Sequence, residues 1–207
     1  MSRRSRSSGR WLQEHFADPF VQRARMQGAR SRATFKLEEI DRLERLLAPG
    51  RVVVDLGAAP GGWSQYAARV LGARGLVVAL DLLPMDELPG VSFLQGDFRD
   101  PETVVRLEAL LGGRPVDLVM SDLAPNMTGV DVVDQARAEE LGELTLGFAG
   151  HILAPGGALL MKVFQGAGFN ALLADARRRF ASVRIRKPAA SRQRSAETYL
   201  VARNRRE

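Results

Sequence analysis

Asp55-Leu56-Gly57-Ala58-Ala59-Pro60-Gly61-Gly62-Trp63 connects a β-branched run, Arg51 to Leu56, to a helical stretch near residues 62 to 71. A strand feeding a glycine-rich loop and then a helix is the opening unit of an α/β sheet. The same alternation continues downstream. Candidate strands are Leu76 to Leu80, Val91 to Leu94, Val116 to Ser121 and Ala158 to Val163, separated by helices near 101 to 111, 134 to 153 and 168 to 180. The pattern predicts a parallel sheet with helices on both faces. Ser182 to Lys187 and Thr198 to Ala202 are joined by a polar basic loop too short for a packed helix, which predicts a hairpin edge with one antiparallel strand. Upstream, Phe35, Leu37, Ile40, Leu43 and Leu47 recur at helical spacing from Ser31 to Leu47, with Lys36 on the first turns.

The chain has 207 residues, 45% of them hydrophobic, which suits one globular domain. Residues 31–207 are read as that domain and residues 1–30 as a basic, partly disordered arm; residues 1–10 carry no apolar periodicity. No apolar run reaches the roughly 20 residues that span a bilayer, and the arginine-rich start lacks the apolar stretch of a secretory signal. A cytoplasmic protein with no membrane contact, working as a monomer, is expected. The absence of cysteine removes disulfides, thiolate metal sites and thiolate nucleophiles, and His15 and His151 belong to no ligand motif, so no metal is expected.

Charge is segregated. Residues 1–36 carry +7 and residues 177–207 carry +9, around a core of −10. Two basic ends on an acidic core suit a polyanionic partner, because clustered guanidinium groups attract phosphates and release their counterions.

In open α/β sheets ligands bind beyond the carboxyl ends of the strands. Those ends are polar here: Asp55, Asp81, Asp97, Asp122 and Lys162 close successive strands. Gly57, Gly61 and Gly62 let a backbone approach a ligand closely. The loop lacks the G-x-G-x-x-G spacing that seats a pyrophosphate, and Asp55 would repel phosphate. A phosphate-free cation such as S-adenosylmethionine fits better, with Asp81 placed to accept from ribose hydroxyls and Asp97 from an adenine amino group. Only 3 lysines accompany 27 arginines, and two of them, Lys36 and Lys162, fall beside this crevice. A lysine can give up its proton and act as a base where arginine cannot. The loop Ser121-Asp122-Leu123-Ala124-Pro125-Asn126 contains no aromatic side chain to stack on a base, which favours a hydroxyl acceptor over an exocyclic amine.

Ser31-Arg32-Ala33, Lys36-Leu37, the run from Val54 to Gln65, Leu80 to Met85, Gly96-Asp97-Phe98, Ser121 to Asn126, Lys162 to Gly166 and Glu197-Thr198-Tyr199 together make the chain closely resemble the FtsJ (RrmJ, or RlmE-type) family of ribose 2'-O-methyltransferases. The resemblance covers nearly the whole chain. It implies the Rossmann-like class I methyltransferase fold with a seven-stranded sheet. It also implies a Lys-Asp-Lys-Glu tetrad falling on Lys36, Asp122, Lys162 and Glu197. S-adenosyl-L-methionine is then expected to contact Asp55, Gly57, Pro60, Gly61, Gly62, Trp63, Asp81, Leu82, Asp97, Phe98 and Asp122. For bacterial members the implied substrate is a uridine 2'-hydroxyl in the A-loop of 23S rRNA, within the large ribosomal subunit. Transfer RNA and mRNA caps are the alternative substrates, and a non-catalytic ribosome-assembly factor the alternative role.

In this reading Lys162 assists deprotonation of the hydroxyl, Asp122 holds Lys162, Lys36 acts on it by like-charge repulsion, and Glu197 orients a lysine. Arg23, Arg25, Arg30, Arg32, Arg192 and Arg194 are the expected phosphate contacts, and Tyr199 is expected to stack on a base.

Overall fold

The computed structural model describes residues 18–125, 128–191 and 195–206. The basic arm at residues 1–10, His15, Asn126, Arg192 and Arg194 therefore lie outside the described residues. Chain order runs α1 (Pro19–Met26), α2 (Thr34–Glu44), β1 (Val52–Leu56), α3 (Gly62–Leu71), β2 (Leu76–Asp81), β3 (Val91–Gln95), α4 (Pro101–Leu111), β4 (Val116–Ser121), α5 (Asp131–Ile152), β5 (Leu153–Phe164), α6 (Phe169–Arg179), β6 (Phe180–Arg186) and β7 (Glu197–Arg205).

The strands form one sheet of seven in the order β3-β2-β1-β4-β5-β7-β6. Only β7 runs antiparallel, inserted between β5 and β6. Strand order reverses at β1, so the carboxyl ends of β1 and β4 open a crevice at the topological switch point. A Cβ on Gly57 would stand 2.7 Å from a Leu123 methyl, showing how closely the loops after β1 and β4 approach there.

Alternation along the buried strands sends successive side chains to opposite faces. Val52, Val54, Leu56, Val78, Leu80, Leu159 and Met161 pack with Leu107, Leu146 and Leu172 of α4, α5 and α6. Val53, Val77, Leu118, Met120 and Leu160 pack with Leu37 and Ile40 of α2 and with Trp63, Ala67 and Leu71 of α3. The second face carries the catalytic candidates, because Lys162 follows Leu160 by two residues on β5.

Two helix starts follow from local chemistry. Asp100 accepts the Glu102 amide with Pro101 in the first turn, and Asp18 accepts the Phe20 amide with Pro19 in the first turn. The second pair folds residues 19–26, counted above with the basic arm, into α1. Helix α2 is shorter than its apolar spacing predicts and ends where Arg45 turns left-handed at φ 51°. Its last residue, Glu44, has no solvent-exposed side-chain surface and pairs with Arg184 of β6 at 3.2 Å, with Arg186, and more distantly with Arg203 of β7. That clamp fixes α2, and with it Lys36, against the antiparallel end of the sheet.

Candidate active site

A cavity of about 380 Å³ opens at the switch point. Leu56 and Gly57 line it from β1, Asp81 and Leu82 from the end of β2, Asp97, Phe98 and Arg99 from the loop after β3, Leu123 and Ala124 after β4, and Leu141 and Leu144 from α5. Its wall combines three carboxylates, of Asp81, Asp97 and Glu140, and the guanidinium groups of Arg99 and Arg137 with apolar surface. Of the residues expected to hold a methyl donor, Gly57, Asp81, Leu82, Asp97 and Phe98 are in the lining, whereas Asp55, Pro60, Gly61, Gly62, Trp63 and Asp122 are not.

The reasons are local. Asp55 lies within β1 rather than closing it and is fully buried. Its Oδ2 accepts the Ser64 hydroxyl at 2.6 Å, and its Oδ1 has no hydrogen-bond partner. Burial, opposed by the Ser64 hydrogen bond and reinforced by Asp122 and Asp81, pushes its carboxyl up to about 7. Gly61 and Gly62 serve the chain's own packing. A Cβ on Gly61 would meet Leu88, Met85 and Arg30, and one on Gly62 would lie 2.2 Å from Ser31 Oγ. Trp63 is buried, donates its indole N–H to the Ala33 carbonyl at 2.8 Å, and packs with ring centroids 5.8 Å from Tyr199.

Asp81 fixes the loops above the cavity, accepting the amides of Ala59 and Leu83, each at 2.8 Å. Each of its oxygens keeps a free lone pair for a ligand. Asp97 is gripped by Arg99 through contacts of 2.6 and 3.0 Å, and the Arg99 hydrogen bonds hold its carboxyl below the usual range.

Lys36, Asp122, Lys162 and Glu197 converge from α2, the end of β4, β5 and β7. Lys162 Nζ donates to the Asp122 carbonyl at 2.7 Å and lies 3.2 Å from its carboxylate. Lys36 Nζ pairs with Glu197 Oε1 at 2.7 Å, and Ser191 donates to the same oxygen at 2.9 Å. Burial alone would raise the Glu197 carboxyl, but Lys36, and behind it Lys162, draws it below its ordinary value.

Tyr199 joins the two pairs. It is directly opposite Lys162 in the β5–β7 register, its hydroxyl donates to Asp122 Oδ1 at 2.7 Å, and Lys36 Nζ donates to that hydroxyl at 3.0 Å. Its ring is 0% exposed. Tyr199 is therefore not a base-stacking residue: no face is open, and the ring instead completes the polar network. Burial, with Asp122 and Glu197 beside it, drives the phenol strongly upward, so it remains a donor. The spacing Glu197-Thr198-Tyr199 contained the signal, since residues two apart on a strand share a face.

The expected phosphate contacts divide. Arg30 donates to three backbone carbonyls, Pro60 at 3.2 Å, Asp86 at 2.7 Å and Glu87 at 2.6 Å, and so ties together the loops after β1 and β2. Arg32 bonds Asp18 and the Ala190 carbonyl. Both are engaged in holding the fold. Arg23 bridges to Glu38 at 3.2 Å and covers the Phe35 ring, with its side chain still 43% exposed, and Arg25 is exposed on α1.

Comparison with known proteins agrees with this geometry. The FtsJ-like methyltransferase family model matches residues 29–205. A protein of Xanthomonas campestris pv. campestris named ribosomal RNA large subunit methyltransferase E is 57% identical over 206 residues, covering 100% of this chain and 98% of that relative. Its Xanthomonas oryzae pv. oryzae counterpart of the same name is 56% identical with the same coverage. A crystal structure from Plasmodium falciparum, described as that of a ribosomal RNA methyltransferase, superposes with a TM-score of 0.77 at 27% identity, over 85% of this chain and 98% of that one. A seven-stranded sheet with one reversed strand, a mixed charged and apolar cavity at its switch point and the full-length match lead to one assignment: the chain belongs to the FtsJ-like methyltransferase family and is a methyltransferase.

Proposed function

We propose that this enzyme methylates a ribose 2'-hydroxyl of RNA from S-adenosyl-L-methionine, with a uridine in the A-loop of 23S rRNA within the large ribosomal subunit as its substrate. The observation that carries the reading is the Lys162–Asp122 pair, set beside the donor cavity through the contiguous residues Asp122 and Leu123. A family of methyltransferases calls for a donor of this type. The cavity suits it: the carboxylates of Asp81 and Asp97 would accept from its hydroxyl and amino groups, Phe98 and Leu82 offer apolar surface, and buried Asp55 with its unpartnered oxygen suits a nearby cation.

When bound, S-adenosylmethionine would supply an electrophilic sulfonium methyl group, which an aligned 2'-oxygen would take up as the carbon–sulfur bond breaks and S-adenosylhomocysteine leaves. The protein supplies position and proton transfer. Lys162 Nζ orients the hydroxyl and accepts its proton, and Asp122 fixes Lys162 through two oxygens. Tyr199 holds the Asp122 carboxylate in place, while Lys36 and Glu197 complete the basic side of the acceptor site. The β4 loop offers Leu123, Ala124 and Pro125 but no aromatic ring to stack on a base, which favours the hydroxyl. No described helix is long and apolar enough to cross a membrane, and the reading places a monomer in the cytoplasm.

The test is to incubate the protein with labelled methyl donor and, separately, large subunits, naked rRNA, tRNA and capped mRNA, and to map the modified nucleotide. Label on one A-loop ribose in the rRNA or subunit pool is the expected outcome. Label on a base, or in the tRNA or cap pool alone, overturns the assignment.

A further inference from the structure

We infer that Phe164 is the platform on which the base of the target nucleotide stacks, a role that rests on the 2'-hydroxyl reading above. Phe164 ends β5 two residues after Lys162, so both side chains leave the same face of the strand. In the antiparallel register Lys162 faces Tyr199 and Phe164 faces Glu197, which places the ring at the outer edge of the four-residue network. Lys162 Nζ stands 6.0 Å from the ring centroid. A nucleoside whose 2'-oxygen meets Nζ carries its base a few ångströms away, within reach of that ring.

Among the described residues, the other rings near the site are committed elsewhere. Tyr199 and Trp63 are buried against each other, and Phe98 lines the donor cavity and packs edge-on to Phe148. Phe164 is half-buried and belongs to none of the hydrophobic clusters that make the core. An aromatic ring unused by the core, at the carboxyl edge of the sheet and beside the proton-accepting lysine, matches the way proteins hold splayed RNA bases, by stacking them on aromatic faces. The ring would fix the sugar by fixing its base, without reading base identity through hydrogen bonds.

The experiment uses large subunits reconstituted with 23S rRNA carrying either the natural A-loop uridine or an abasic ribose at that position. Phe164→Leu keeps apolar bulk and removes the π face. It is expected to lower kcat/KM on the uridine substrate by roughly 10-fold or more, with Phe164→Tyr within about 2-fold of wild type. Donor affinity should stay at the wild-type value in both variants, since Phe164 is outside the donor cavity. On the abasic substrate the wild type and Phe164→Leu should become equal. A Leu penalty that persists on the abasic substrate would mean that the ring acts through Lys162, and it overturns the inference, as does a Leu variant equal to wild type on uridine. Absence of 2'-O-methyl product with the wild-type enzyme instead overturns the function on which the inference rests.

Discussion

Lys162 Nζ is held by two oxygens of one residue, the main-chain carbonyl and the carboxylate of Asp122, at 2.7 and 3.2 Å. The amine is thereby aimed at one point beside the donor cavity. Lys162→Ala should lower single-turnover methyl transfer by roughly 100- to 10,000-fold, the usual contribution of a positioned proton acceptor, while calorimetric donor affinity stays near wild type. Lys162→Arg should not rescue, because a guanidinium stays protonated and its planar fork does not fit a site built around a point donor. Retained turnover in either variant refutes the base role.

Asp55 predicts a pH effect of defined sign. Its folded-state carboxyl titrates near 7, above its ordinary value of 3.8, so between those limits the native protein keeps a proton that the unfolded chain has released. Stability without donor should therefore fall as pH rises from about 4 to 7 and level off above. Asp55→Asn should remove this slope and, at pH 8, stabilise the donor-free protein by up to roughly 4 kcal/mol. A cation in the neighbouring cavity favours the carboxylate, so the same variant should bind donor more weakly. Urea unfolding across pH, beside donor titrations, reads both; a flat wild-type profile would contradict the buried, proton-retaining carboxyl.

Tyr199→Phe deletes one hydroxyl that serves Asp122, Lys36 and Glu197 together. Leaving buried partners unsatisfied costs about 1–3 kcal/mol, which a shift in the urea midpoint would report. Turnover should fall with donor affinity unchanged, since the hydroxyl organises the acceptor side. Unaltered turnover would show that Asp122 and Lys36 keep their places without it.

The arginines should separate into two behaviours. Arg30→Ala frees the loops bearing Pro60, Asp86 and Glu87 and should weaken donor binding several-fold, leaving the salt dependence of RNA binding as it was. Arg25→Ala, on the exposed side of α1, should reduce the slope of log K against log salt by about 1 for one phosphate contact. Filter binding at several salt concentrations distinguishes them, and a changed slope for Arg30→Ala would return it to the RNA surface.

Much of this fold was readable because its elements carry local signals. Pro101 after Asp100 and the glycines around residue 61 set the bounds of α4 and α3 where the structure has them. Asp18-Pro19 is the same signal as Asp100-Pro101, but the arginines that follow it give α1 the composition of the basic arm. Strand β5 begins five residues before its apolar run, because Leu153 pairs with Val116 and the chain then detours through Pro155-Gly156-Gly157 before Ala158 pairs with Leu118. That pairing is tertiary and leaves no periodicity. At the site, the polar strand ends and the scarcity of lysine pointed to Lys36, Asp122 and Lys162, and the family resemblance added Glu197. What they could not show was which atoms were already engaged: Arg30 and Arg32 bind distant carbonyls, and Tyr199 turns inward, through contacts made across 30 or more residues.

The insertion of β7 between β5 and β6 sets the order in which this enzyme can become competent. Lys36 and Glu197 meet across 161 residues, and β6 has no strand to pair with until β7 is in place. Such non-local closure is slow relative to helix formation. The residues that line the donor cavity all lie between Leu56 and Leu144, whereas Glu197 and Tyr199 arrive only with β7, so the proposed acceptor site is completed by the last strand to take its place in the sheet.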